Sequence, residues 1–144
     1  MTRDRNGPPA TVLAFDFGTR RIGVAVGNTL TGTARALTTI AEPDGDGRMA
    51  AIGDLIAQWQ PQILVVGVPV HADGTPHAMT SRAQDFAAEL AVRYKLPVHH
   101  ADERHTTALA QSALDDARAG RKGRATRDEV AAQIILQGWL DDVA

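Results

Sequence analysis

The chain is 144 residues long, enough for one hydrophobic core and too short for two independently folded halves, so any active site must be assembled on a single sheet. Hydrophobic residues make up 44% and charged residues 22%, a balance that argues against extended disorder, and the absence of cysteine excludes disulfides, thiolate nucleophiles and sulfur-ligated zinc together. A net charge of −2 offers no global attraction for nucleic acid, no apolar run nears the roughly 20 residues needed to span a bilayer, and the opening MTRDRNGPPA lacks the apolar stretch of a secretion signal.

Residues 1–10 read as a frayed tail and 11–144 as one domain, expected in the cytoplasm and away from membranes. Segments 11–17 (TVLAFDF) and 21–27 (RIGVAVG) are β-type runs split by Gly18, Thr19 and Arg20, which predicts a hairpin; 33–40 supplies a third strand. After the breaker EPDGDG, Met49, Ile52, Leu55, Ile56 and Trp59 recur at helical spacing and stop before Pro61. The run 63–70 (ILVVGVPV) is continuously apolar, as expected of a central parallel strand covered on both faces.

Asp73, Gly74, Thr75 and Pro76 form a turn signal, and Met79, Ala83, Phe86, Leu90 and Tyr94 trace one face of a second helix. A fifth strand is expected at 97–101, a third helix at 106–119 and a last helix at 128–142. Strands first and βα alternation afterwards predict an α/β fold, a mixed five-stranded sheet flanked by helices. Ligands in such sheets gather at the carboxyl ends of the parallel strands, so chemistry-bearing residues are sought there.

Three acidic positions stand out. Asp16 interrupts an apolar strand, where an ionised carboxylate is costly unless compensated; the alternative is a turn-initiating aspartate before Gly18. Asp102 and Glu103 end the fifth strand, and alternation sends their side chains to opposite faces, so one of the two shares a face with Asp16. Asp128 belongs to a stretch, Thr126 to Glu129, that reads as a capping box, yet Asp128, Ala132, Ile135 and Trp139 follow steps of four, three and four along an apolar stripe. Glu129 can serve the cap while Asp128 points inward. Converging carboxylates repel unless a cation neutralises them, and oxygen donors suit Mg²⁺ or Mn²⁺, a pair of which about 4 Å apart supports phosphodiester hydrolysis.

Five of the fifteen Lys and Arg residues, Arg118, Arg121, Lys122, Arg124 and Arg127, fall in one glycine-interrupted stretch that suits either phosphate contact or simple solvation. His71, His77, His99, His100 and His105 form no tight metal-binding spacing, although His105 stands two residues after Glu103, within reach of orienting water or a leaving group.

In order along the chain, DFGTRRIGVAVG, VVGVPVHADGT, ADERHTT and RDEVAAQIILQGWLD resemble the motifs of the YqgF (RuvX-type) family, described as pre-16S rRNA nucleases and Holliday-junction resolvase-like proteins. The resemblance runs from about Val12 to Asp142 and implies a ribonuclease H-like fold, divalent metal, and cleavage during maturation of the small-subunit rRNA 5′ end, with branched DNA as the alternative substrate. It assigns the first-strand aspartate to Asp16, the DER glutamate to Glu103 and the last-helix aspartate to Asp128. Gly18, Arg21 and Gly23 match the opening motif, and Gly67, Pro69, Asp73 and Gly74 the second. His105 and His71 depart from the usual residues.

On this resemblance Asp16 would bridge two ions, Glu103 and Asp128 would hold one each, and Arg20, Arg21 and Arg104 with the basic stretch 118–127 would contact phosphates. DFGTRRIG also resembles the phosphate loop of actin-like ATPases and sugar kinases, but those close a nucleotide between two domains. A non-enzymatic RNA-binding assembly factor is the other alternative, and acidic groups facing a phosphate backbone argue against it.

Overall fold

The structure, a computed structural model, describes residues 8–42, 45–69, 73, 75, 78–102 and 127–143. Runs rich in Val, Ile, Ala and Thr form β1 (Thr11–Asp16), β2 (Ile22–Asn28) and β3 (Thr33–Ile40), each antiparallel to the one before. β4 (Ile63–Val68) pairs in parallel with β1, and β5 (Val98–Asp102) in parallel with β4, giving the strand order β3-β2-β1-β4-β5. The helices are α1 (Gly45–Trp59), α2 (Thr80–Tyr94) and α3 (Arg127–Val143). This is the mixed five-stranded sheet with flanking helices that the pattern predicts.

Strand alternation divides the core between two faces. Leu13, Phe15, Val24, Val26, Leu64 and Val66 meet Met49 and Ile52 of α1 and Ala83, Phe86 and Leu90 of α2. Val12, Ala14, Ala25, Ile63 and Val65 meet Ala132, Leu136 and Leu140 of α3 on the other face. Every residue of β4 is buried, as its unbroken apolar run requires.

The α3 face is built for close approach. A Cβ added at Gly27 would stand 3.0 Å from a Leu140 methyl, and one at Gly67 would stand 2.7 Å from Ile135 Cδ1. α3 also covers the free edge of β3: the Ala34 N–H donates to Gln137 Oε1 at 3.0 Å, and Gln133 Nε2 donates to the Ala34 carbonyl at 3.1 Å. Two glutamines thus satisfy edge-strand groups that would otherwise be open to another strand.

Boundaries differ from expectation where local chemistry intervenes. β4 stops at Val68 instead of residue 70, because Pro69 has no N–H to donate to a neighbouring strand. α1 begins at Gly45, inside the expected breaker, with Asp46 in the first turn where the helix dipole favours an acid. β5 runs one residue later than 97–101; Pro97 instead offers its carbonyl to the Leu64 N–H at 2.9 Å. Ala10 is buried and its N–H donates to Thr29 Oγ1 at 2.9 Å, while residues 1–7 of the expected tail lie outside the described residues. So do the expected helix at 106–119 and two of the four turn residues, Gly74 and Pro76; of the other two, Asp73 Oδ1 accepts from the Thr75 N–H at 3.0 Å.

Candidate active site

Because β1, β4 and β5 run in parallel, their last residues, Asp16, Val68 and Asp102, lie at one edge of the sheet. Asp16 shares the parity of Val12 and Ala14, so it belongs to the face covered by α3. Its Cα partner on β2 is Gly23, and adjacent antiparallel Cα atoms stand roughly 4.5–5.5 Å apart. A Cβ built on Gly23 would fall 1.9 Å from the Asp128 carbonyl oxygen. The first turn of α3 therefore rests on the one residue of β2 that faces Asp16 and has no side chain. Residues 112 positions apart in the chain are brought to one corner by that glycine.

Asp128 turns toward the β1–β2 connection. Arg21 donates from Nε to its Oδ2 at 2.8 Å, with the two side chains 42% and 22% exposed. Behind Asp128 on the same stripe Ala132 and Ile135 are buried, so the helix presents the acid at the head of an apolar seam. Glu129 is pushed above its usual carboxyl range by burial and then by the neighbouring Asp128 charge. Thr126, the expected cap, lies outside the described residues.

At the end of β5, alternation separates neighbours. His99 and Ala101 belong to the α3 face, His99 with its ring 5.5 Å from that of Trp139, whereas Val98 packs among the α1 and α2 residues. Asp102 has the parity of Val98 and so stands on the face opposite Asp16. Glu103 and Arg104 lie outside the described residues, as do Arg118, Arg121, Lys122, Arg124 and the side chain of Arg127. Arg20 and Arg21 are described and exposed at the carboxyl edge. Of the histidines, His71, His77 and His105 lie outside the described residues; burial holds His99 below its ordinary value of 6.5.

Asp16 and Asp128 offer hard oxygen donors on one face, and the chain has no thiolate, a donor chemistry that fits Mg²⁺ or Mn²⁺. Among the described residues no group of three His, Asp or Glu side chains gathers closely enough to hold an ion; the expected third donor is Glu103.

Sequence reasoning missed Arg48. Only 8% exposed, it donates from Nε to the Glu42 carbonyl at 2.7 Å and from Nη2 to the Thr19 carbonyl, and its guanidinium lies 5.8 Å from the Phe17 ring centroid. The signal was present: Arg48 precedes Ile52 by four residues, so it falls on the buried stripe of α1, as Asp128 does on that of α3.

A profile of the family described as "RuvX: Holliday junction resolvase" matches residues 10–142. The "Putative pre-16S rRNA nuclease" of Dechloromonas aromatica is 52% identical over 132 residues, covering 91% of this chain and 90% of that protein. A protein of the same name from Burkholderia lata is 48% identical over 136 residues, covering 94% and 91%. Among solved structures, Thermus thermophilus RuvC in complex with a Holliday junction substrate superposes with a TM-score of 0.56 at 16% identity, covering 92% of this chain and 94% of that one. The fowlpox virus Holliday junction resolvase gives 0.55 at 11% identity, covering 92% and 99%. At these identities the structural likeness establishes the shared ribonuclease H-like fold.

Proposed function

The chain belongs to the RuvX family, and from that membership we propose that it is a divalent-metal-dependent nuclease that hydrolyses phosphodiester bonds of pre-16S rRNA in maturing its 5′ end. The observation that carries this reading is the meeting of Asp16 and the first turn of α3 over Gly23, at the carboxyl edge of the parallel strands. Arg21 offsets part of the Asp128 charge, and a bound cation would offset the acidic charge that remains at that corner.

Asp16, Asp128 and Glu103 would hold the divalent metal through their carboxylate oxygens. Asp102 faces away, so the residue that follows it in the chain is the natural third donor. Bound Mg²⁺ or Mn²⁺ would supply Lewis acidity, activating the attacking water and offsetting charge on the departing oxygen. Arg21 holds the Asp128 carboxylate at a fixed place through its Nε. Arg20, exposed on the same turn, contacts a substrate phosphate, together with Arg104 and the basic stretch 118–127. The site of action is the cytoplasm; no helix among the described residues is long and apolar enough to cross a membrane.

The family's description favours a second substrate, a four-way DNA junction. The two are separated by incubating the protein and Asp16→Asn with a pre-rRNA fragment and with a four-way junction, in Mg²⁺, Mn²⁺ or EDTA. The expected outcome is metal-dependent cleavage of the RNA, reduced more than roughly 100-fold in the variant. Cleavage of the junction alone transfers the proposal to DNA. RNA binding that is equal with and without metal, with no cleavage and no effect of the variant, replaces the nuclease with an assembly factor.

A further inference from the structure

A guanidinium buried under an active-site turn needs a reason, because removing its charge from water is costly unless every donor is well placed. Arg48, in the first turns of α1, has three partners in two separate places: the Thr19 carbonyl and the face of Phe17, both in the β1–β2 connection, and the Glu42 carbonyl just after β3. Phe17 directly follows Asp16 and packs on Phe86 of α2, ring centroids 4.9 Å apart. Thr19 is the middle of the five residues that join Asp16 to Ile22.

The turn itself is tight. A Cβ at Gly18 would stand 2.5 Å from the Arg21 carbonyl oxygen, so the backbone doubles closely on itself there. With the Thr19 carbonyl drawn inward to Arg48, the following Arg20 and Arg21 are left exposed, and Arg21 reaches Asp128.

Resting on the nuclease reading above, we infer that Arg48 is a positioning residue: it clamps the β1–β2 turn from beneath so that Asp16 and the Arg21–Asp128 pair keep the relative placement that metal binding and cleavage require. The planar fork is essential to this role. Nε and Nη2 donate to carbonyls 23 residues apart in the chain while the plane stays near an aromatic face, which a single ammonium does not reproduce. Lysine at position 48 keeps the charge and the aliphatic stem but loses the clamp.

The test compares the full-length protein with Arg48→Lys, Arg48→Gln and Asp16→Asn, well below each melting temperature. Mn²⁺ affinity is read by calorimetry without substrate, and kcat and KM on a pre-rRNA fragment. Both Arg48 variants are expected to fold, to bind Mn²⁺ at least tenfold more weakly, and to lose at least tenfold in kcat with KM within about threefold. Lowered melting temperatures with unchanged Mn²⁺ affinity and kcat would make Arg48 a scaffold residue and overturn the proposal, as would failure of both variants to fold. The Asp16→Asn control separates the two ideas. If it loses Mn²⁺ binding while the Arg48 variants keep theirs, the metal site stands and the clamp falls. If it binds Mn²⁺ as the parent does, the nuclease reading fails and the clamp falls with it.

Discussion

Gly23 is where the site is most sensitive to a single atom. An alanine methyl there would fall 1.9 Å from the Asp128 carbonyl, and backbone, unlike the end of a flexible side chain, yields only if the helix moves. Gly23→Ala is expected to destabilise the fold by about 2–3 kcal/mol, measured by urea unfolding, and to reduce cleavage further by lifting Asp128 from the corner it shares with Asp16. A variant as stable and active as the parent would mean that α3 does not depend on that contact. At this scale the sequence was informative wherever an acid interrupted an apolar pattern. Asp16 broke a strand pattern and Asp128 headed a helical stripe; the first stands at the carboxyl end of β1 and the second in the first turn of α3. Alternation alone left the Asp102 and Glu103 pair open and the family resemblance chose Glu103; that Asp102 shares the face of Val98, opposite Asp16, is a fact of tertiary packing. Arg48 carried the same kind of anomaly, a charge on a buried stripe, but its partners are two backbone carbonyls and a ring, and carbonyl positions leave no mark in side-chain patterns.

At the scale of elements, all five strands and all three described helices were legible, because alternating, continuously apolar and period-3.6 runs differ sharply and most of them are followed within a few residues by a Gly or Pro. What the pattern left open was how α3 meets the sheet. Its contacts depend on the absence of side chains at Gly23, Gly27 and Gly67, and a glycine in a strand reads equally well as a bulge or as a close approach. The β5–α3 contact carries its own pH dependence. Burial lowers the pKa of His99 below 6.5 beside the Trp139 ring, so the folded state prefers the neutral imidazole more than the unfolded chain does. Its stabilising contribution is complete above pH 6.5 and is lost as pH falls through that value toward the lower folded-state pKa. His99→Phe keeps a ring against Trp139 and removes the titration. Urea unfolding at pH 7.5 and at pH 5 is expected to show a smaller loss of stability on acidification in the variant than in the parent. Equal losses would exclude His99 as a contributor.

For the whole molecule, a net charge of −2 means that long-range attraction does not deliver RNA to the site. On the proposed reading, binding draws on cations concentrated at one edge, where Arg20 and Arg21 are exposed beside the acidic corner. These two have different employment in the proposed mechanism: Arg21 is already engaged by Asp128, whereas Arg20 is assigned to a phosphate. Their contributions to counterion release should therefore differ. On the non-cleaving Asp16→Asn background, Arg20→Ala is expected to make the plot of log affinity against log salt shallower by about 0.7, the value of one phosphate contact on a single strand. It should also weaken binding to unrelated RNA sequences by similar factors, since phosphates carry no sequence information. Arg21→Ala should change the slope less, because the cation it removes is partly neutralised by a carboxylate 2.8 Å away. Filter binding across 50–300 mM salt reads both, and a slope unaffected by Arg20→Ala would move the phosphate contacts off the β1–β2 turn.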